Sequence, residues 1–395
     1  MLTGQSIIYF APGKWKGLWR NRQQLMSIFA RCNRVLFVER RPYLRPTLAD
    51  WQRGRLTLAD LRQPLVRKVA DNLFVFHYPY WVPVSGRFPL KQLTRTARQF
   101  LLQRALNQLD MSQPIVWFSQ PDMLELVSEM PPARLLLYHV VDEYSAYSDQ
   151  TPTTRRLIQT QEQQMLAHVD AVVVVSKNLY EAKRPFNTHT YLVPNGVNYQ
   201  AYTAALADPY LPDALQTIQP PRLGYSGLIG DRLNLSMLDK LAQENPEWSL
   251  VFLGEVTVSQ QAEVWQRLLL KPNVHYLGLV EIAQVPHYLK GLQVGLIPYM
   301  QSREAENISP LKLYDYLAVG LPVASMNIPA AREFSPYIHL ASSPPDFGHA
   351  VRAALADTRP ERYQDRRKVA AQHSWEARVE QLSELIQDQL VANFQ

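Results

Sequence analysis

A chain of 395 residues exceeds one ordinary hydrophobic core, so two domains of about 200 residues each are expected. Its 47% hydrophobic and 10% aromatic content exclude a disordered chain. The net charge of +6 is unevenly spread: residues 1–110 carry 19 basic and 5 acidic side chains, whereas residues 201–395 carry 16 basic and 21 acidic. An anionic partner is therefore expected for the first half only.

Along the chain, short apolar runs alternate with longer helical patterns. Ser6–Phe10 reads as a first strand rather than a signal peptide, because no charged stretch precedes it. Further strands are expected at Val35–Val38, Leu73–His77, Ile115–Phe118, Leu135–His139, Ala171–Ser176 and Tyr191–Pro194, with helices at Arg22–Arg31, Leu90–Leu109 and Thr153–Ala167. The run Ala171-Val172-Val173-Val174-Val175 is apolar on both faces, as a central parallel strand covered by helices must be. Cys32, the single cysteine, excludes an internal disulfide, favours a reducing compartment and is read as a packing residue.

The proline-rich stretch 208–221 reads as a linker. Strands then follow at Arg222–Tyr225, Ser249–Leu253, Val274–Leu277, Val294–Pro298 and Pro322–Ser325, alternating with helices at Leu233–Glu244, Ser259–Leu269, Ile282–Lys290 and Pro310–Val319. A last helix spans about Trp375 to Val391. The expected class is α/β: two Rossmann-like doubly wound domains, 1–207 and 222–374, facing a central cleft, with 375–395 crossing back onto the first.

Four segments could carry chemistry. In Asn307–Val323, Ser309 suits an N-cap, Pro310 the first helical position and Gly320 the C-terminal stop. A helix N-terminus there suits a diphosphate. Lys312 in the first turn fits a ligand phosphate, and Asp315, three residues on, can accept ribose hydroxyls; a surface ion pair on a capped helix is the plainer reading. Gly224–Arg232 is a glycine-rich turn in which Gly227 would let backbone approach a phosphate, or simply a βα turn. Tyr138–Tyr144 places His139, Asp142 and Glu143 at a strand's carboxyl end, suited to general-base work or to capping and a solvated loop. Gly13–Gln24, with Trp19, Arg20 and Arg22, is a basic loop after the first strand.

The Asn307–Val323 segment resembles the donor motif of GT-B glycosyltransferases related to glycosyltransferase family 4. It is similar, more closely, to the Ser-x-x-Lys-Leu-x-x-Tyr run of bacterial exopolysaccharide glucuronosyltransferases, here Ser309, Lys312, Leu313 and Tyr316. The resemblance implies donor contacts from Ile308, Ser309, Pro310, Lys312, Asp315 and Tyr316. The wider family has a Glu-x7-Glu pair here; Asp315 stands at its second position and Asn307 at its first, which leaves the stereochemical outcome open. In the glycine-rich turn, Leu228 and Asn234 occupy the places of the family's Arg and Lys, with Arg232 as the substitute. By the same resemblance, Asp142 is favoured as base over Glu143 and His139, and Trp19, Arg20 and Arg22 lie on the acceptor side.

The function so implied is transfer of a sugar from a nucleoside-diphosphate donor to a hydroxyl, on a lipid-linked or oligosaccharide acceptor in cell-surface or exopolysaccharide assembly. A sugar-nucleotide epimerase or hydrolase on the same fold, and a non-catalytic sugar-nucleotide-binding protein, stay open. No Asp-x-Asp and no metal-ligand spacing occur, so no metal and no cofactor are expected. No nucleic-acid-binding motif is present. The aromatic run Phe74–Val84, leading to a basic amphipathic pattern with Arg87, Lys91, Arg95, Arg98 and Arg104, suits an anionic membrane surface or a half-buried core segment. The expected location is cytoplasmic, peripheral at the inner membrane face, since no apolar run is long enough to span a bilayer.

Overall fold

β-branched and aromatic runs without charge leave only two-sided burial as a stable arrangement, and they form the centres of two parallel sheets. In a computed structural model the chain is described over residues 1–17, 19–57, 60, 62–86, 88–130, 132–147 and 150–392. It divides into two units, Met1–Val193 with Arg378–Gln395, and Pro194–Ala377.

The first unit holds β1 (Ser6–Phe10), β2 (Arg34–Val38), β3 (Val66–Ala70), β4 (Leu73–Phe76), β5 (Ile115–Phe118), β6 (Leu135–Val140), β7 (Ala171–Val174) and β8 (Thr190–Leu192) in the order β3-β4-β2-β1-β5-β6-β7-β8. All pairs are parallel except the edge pair β3–β4. The second unit holds β9 (Arg222–Ser226), β10 (Ser249–Leu253), β11 (Val274–Tyr276), β12 (Val294–Ile297), β13 (Val323–Met326) and β14 (His339–Ala341) in the all-parallel order β11-β10-β9-β12-β13-β14. Renumbered within the unit this is 3-2-1-4-5-6, whose order reverses between β9 and β12. Ligands of open α/β sheets bind outside the carboxyl ends at such a reversal. In the first unit the reversal lies between β1 and β5.

The stretch 208–221 is not a free linker. Leu215 and Ile218 within it are 0% and 4% exposed in the second unit's core, so its prolines shape a packed approach to β9. The unit boundary lies earlier, after Val193. The last helix, Trp375–Ala392, belongs to the first unit from Arg378 onward. There Leu382 and Ile386 are buried, and Gln389 donates to the Tyr191 hydroxyl at 2.8 Å. Cys32 is exposed rather than packed, since it lies in the turn after the helix Asn21–Phe29.

The carboxyl ends of β9 and β10 depend on two glycines. Gly227 and Gly254 have φ of +130° and +139°, and a Cβ on Gly254 would lie 1.9 Å from the Gly227 carbonyl oxygen. Gly254→Ala is therefore expected to destabilise the fold by roughly 1–3 kcal/mol, read from the urea midpoint. An unchanged midpoint would show that the two loops yield freely.

Candidate active site

In the second unit, three segments converge at the reversal between β9 and β12. After β9 the chain turns at Gly227. The stretch Ile229–Asn234 is then zipped to the segment following β12: the Asn234 N–H donates to the Pro298 carbonyl at 2.8 Å and the Met300 N–H to the Arg232 carbonyl at 2.9 Å. This register brings Arg232 beside Tyr299, its guanidinium carbon 5.9 Å from the ring centroid. The third segment is the helix Leu311–Ala318.

Lys312, in the first turn of that helix, reaches into the same point. Its Nζ donates to the Tyr299 hydroxyl at 2.5 Å and lies 4.8 and 4.9 Å from the Tyr225 and Tyr299 ring centroids. A Cβ at Gly227 would come within 3.3 Å of that nitrogen, so glycine keeps the approach open. Burial pushes the Tyr299 phenol up, but Lys312, Arg232 and the hydrogen bonds it receives outweigh burial and hold it below its usual value. Two cations thus flank one phenol at the start of a helix whose first N–H groups have no intrahelical acceptor. Arg232 is meanwhile paired with Glu304, with Nε 3.1 Å from the carboxylate.

Asp315, half-buried one turn further on, receives a hydrogen bond from the Tyr202 hydroxyl. Burial pushes its carboxyl up to about 7, against the opposing pull of Tyr202 and Lys312. It is therefore part-protonated near neutral pH, and ionising it costs the fold stability. That contribution is complete below the ordinary carboxylate value and is lost as pH rises through about 7.

Three donor-motif expectations are corrected. Ser309 does not cap the helix: Pro310 holds the N-cap position, and the Ser309 hydroxyl pairs with Tyr314 at 3.1 Å because Tyr314 turns back over the first turn. Pro310 thus sits one place before the first helical residue. Tyr316 is fully buried, receiving a hydrogen bond from the Ser226 N–H at 3.0 Å and donating to the Gly224 carbonyl at 3.2 Å. Its ring also fills the space over Gly295, so it ties β9 to β12 and has no face for a ligand. Ile308 is buried, and Asn307 ends the short helix Arg303–Asn307 with its amide donating to the Arg303 carbonyl at 2.7 Å. Asn234 caps the helix Leu235–Glu244, accepting from the Met237 N–H at 3.0 Å.

In the first unit the reversal between β1 and β5 gathers polar groups. Tyr144 donates to the Ser119 carbonyl at 2.7 Å, and half-buried Asp142, just past β6, accepts from the Tyr147 hydroxyl at 3.0 Å. Arg22 is half-buried there; burial lowers its pKa, and Tyr9 and Tyr144 pull it back up. Trp19 is half-buried with its ring 5.8 Å from that of Trp15, and Arg20 is exposed at the start of the helix Asn21–Phe29.

The other two base candidates are not free for that work. His139 is 3% exposed, 5.7 Å from the Trp117 ring, and burial lowers its pKa to about 4. The alternation of β6 turns it into the packing rather than toward the strand end. Glu143 is bound to Lys183 at 2.6 Å, and Lys183 bridges on to Glu162 at 2.6 Å.

Tyr299, Tyr225, Tyr202 and Glu304 were not anticipated. Only the position of Tyr299 just past the fourth strand of the second unit hinted at a site residue. Arg98 is also reassigned: it is 4% exposed and bound to Glu129 at 2.8 Å, because it lies on the helix face toward the core. Arg87 lies outside the described residues. Among the described residues no group of three or more His, Cys, Asp or Glu is placed to hold a metal ion, and no helix is long and apolar enough to cross a membrane.

Two doubly wound parallel-sheet units of this kind define the GT-B fold, and solved structures agree. A sucrose-phosphate synthase of Thermosynechococcus elongatus superposes with TM-score 0.68 at 17% identity, covering 98% of this chain and 100% of that one. Anabaena HepE, solved with UDP and glucose, superposes with TM-score 0.65 at 15% identity over 96% and 99%. Residues 230–357, which lie in the second unit, match the family model described as glycosyl transferases group 1. A curated relative, the putative teichuronic acid biosynthesis glycosyltransferase TuaH of Bacillus subtilis (strain 168), is 28% identical over 239 residues. That match spans 58% of this chain and 59% of the relative's length.

Proposed function

We propose that the chain is a glycosyltransferase that takes a UDP-sugar and passes its sugar to a hydroxyl. The observation that carries this reading is Lys312, with Arg232 beside it, aimed at the reversal point of a 3-2-1-4-5-6 sheet next to a helix start. A diphosphate fits two cations beside a helix start. Asp315 stands one turn away for the ribose hydroxyls. HepE is solved with UDP and glucose, and TuaH is described as a teichuronic acid biosynthesis glycosyltransferase, which supports a UDP-sugar and a cell-wall polysaccharide role.

In this mechanism the leaving diphosphate gathers charge as the anomeric bond breaks. Lys312, Arg232 and the helix start stabilise that charge, with no divalent cation assigned. Arg232 must exchange Glu304 for phosphate oxygens as the donor binds. Asp142 takes the proton of the attacking acceptor hydroxyl. The acceptor is a glycan, lipid-linked in polysaccharide assembly. Peripheral attachment to anionic lipid is supported by Trp81 and Phe88, 62% and 86% exposed, and by exposed Leu93, Phe100, Lys91 and Arg104 on the helix Leu90–Gln108.

A thermal-shift titration tests the donor assignment: UDP should raise the melting temperature, equally with and without EDTA. No shift with UDP removes the donor reading, and a shift abolished by EDTA removes the metal-free scheme. The Asp315 carboxyl supplies a second check. If the carboxylate accepts the ribose hydroxyls, UDP-glucose affinity should rise about tenfold between pH 6 and pH 8, as the ionised fraction grows about a pKa near 7. Asp315→Asn should flatten the profile. Affinity that is flat or falling in the parent protein would remove Asp315 from the ribose site.

A further inference from the structure

A cavity of about 1230 Å³ opens in the first unit outside the carboxyl ends of β1, β2 and β4, on the side of β1 opposite β5. Six basic residues line it, Lys14, Lys16, Arg40, Arg41, Arg45 and Arg67, against two acidic ones, Glu39 and Asp50. One acid is already engaged, since Glu39 accepts from the Trp15 N–H at 2.8 Å. The bases outnumber the acids on this wall. Arg41 is ion-paired to Glu129 and Glu125 at 3.6 and 3.8 Å, whereas the buried Nε of Arg67 makes no hydrogen bond among the described residues. Lys14, Lys16, Arg40 and Arg45 are exposed. Tyr43 and Tyr80 supply aromatic wall, with the Arg40 guanidinium carbon 5.4 Å from the Tyr43 centroid.

This combination is selective. Like charges gathered in a concave wall repel one another and are relieved by a bound anion. A lone phosphate would leave most of the volume empty, whereas aromatic walls and a cavity of this size suit sugar rings. We infer that the cavity binds an anionic oligosaccharide, a glycan of several rings bearing carboxylate or phosphate groups that Arg40 and Arg45 engage. That this ligand is the acceptor rests on the glycosyltransfer reading; its binding does not, and is measured without donor.

The test is calorimetric titration of the full chain with tetragalacturonate, with phosphorylated maltotetraose and with neutral maltotetraose, the first two separating carboxylate from phosphate recognition. At least one anionic probe should bind tenfold or more tightly than the neutral one. Arg40→Ala/Arg45→Ala should weaken that probe at least tenfold while the thermal unfolding profile and circular dichroism of the full chain stay unchanged, which verifies folding. Equal binding of charged and neutral sugars, or an unaffected double variant, overturns the inference. So does pyrophosphate binding as tightly as the anionic glycans, or binding of phosphatidylglycerol vesicles through these arginines with no glycan binding. Loss of UDP binding in Lys312→Ala reads the donor assignment separately.

Discussion

Asp142→Asn is expected to lower the rate of sugar transfer by roughly 10²- to 10⁴-fold, the range a positioned general base contributes, with UDP affinity unchanged. Of the three candidate bases at the end of β6, two are committed elsewhere. His139 is buried beside Trp117, where no acceptor hydroxyl can reach its ring. Glu143 is neutralised by Lys183. Asp142 is half-buried just past the end of β6, where its carboxylate accepts from the neutral Tyr147 hydroxyl at 3.0 Å. Asparagine keeps an oxygen for Tyr147 while removing the basic function, so the variant should fold and bind donor as before. Turnover within tenfold of the parent protein would exclude Asp142 as the base. His139→Ala, by contrast, should act through packing and lower the melting temperature.

The sequence disclosed what depends on local pattern and concealed what depends on tertiary approach. Strands such as Ile115–Phe118 and Ser249–Leu253 were legible to the residue because they are apolar on both faces. β3 was not, since Val66–Ala70 is a half-exposed edge strand whose Arg67 and Lys68 break the apolar run. β14 was missed because three residues carry too little period. The helix Pro360–Gln372 is mostly polar, and its core-facing side is formed by buried Ala370 and by Arg366, bound to Asp357 at 2.9 Å, a pattern too sparse to read as a period. The same divide runs through the site. Lys312 and Asp315 could be read from their spacing on one helix. Tyr299 and Tyr202 could not, because they meet that helix from 13 and more than 100 residues away. The excess of basic residues before position 110 pointed to an anionic partner, but only the fold gathers six of them around one cavity.

Lys312→Ala is expected to weaken UDP binding by roughly 10- to 150-fold, the equivalent of about 1.5–3 kcal/mol for a hydrogen bond to a charged group. The Lys312 ammonium is held over two aromatic rings and hydrogen-bonded to one of them. A lysine serving only to bridge those tyrosines would show itself as lost stability, with UDP and uridine affected alike. A lysine facing the diphosphate predicts a different pattern: uridine, lacking phosphate, should bind the variant as it binds the parent protein, while UDP loses its advantage. Lys312→Arg keeps the charge but not the compact ammonium that fits between Gly227 and the Tyr299 hydroxyl, so it should restore only part of the affinity. Glu304→Gln provides the complementary measurement. It removes the charge that competes for Arg232, so UDP should bind more tightly to it if Arg232 turns to the diphosphate. Unchanged UDP affinity in Lys312→Ala would place the diphosphate elsewhere in the fold and leave this helix start a structural feature.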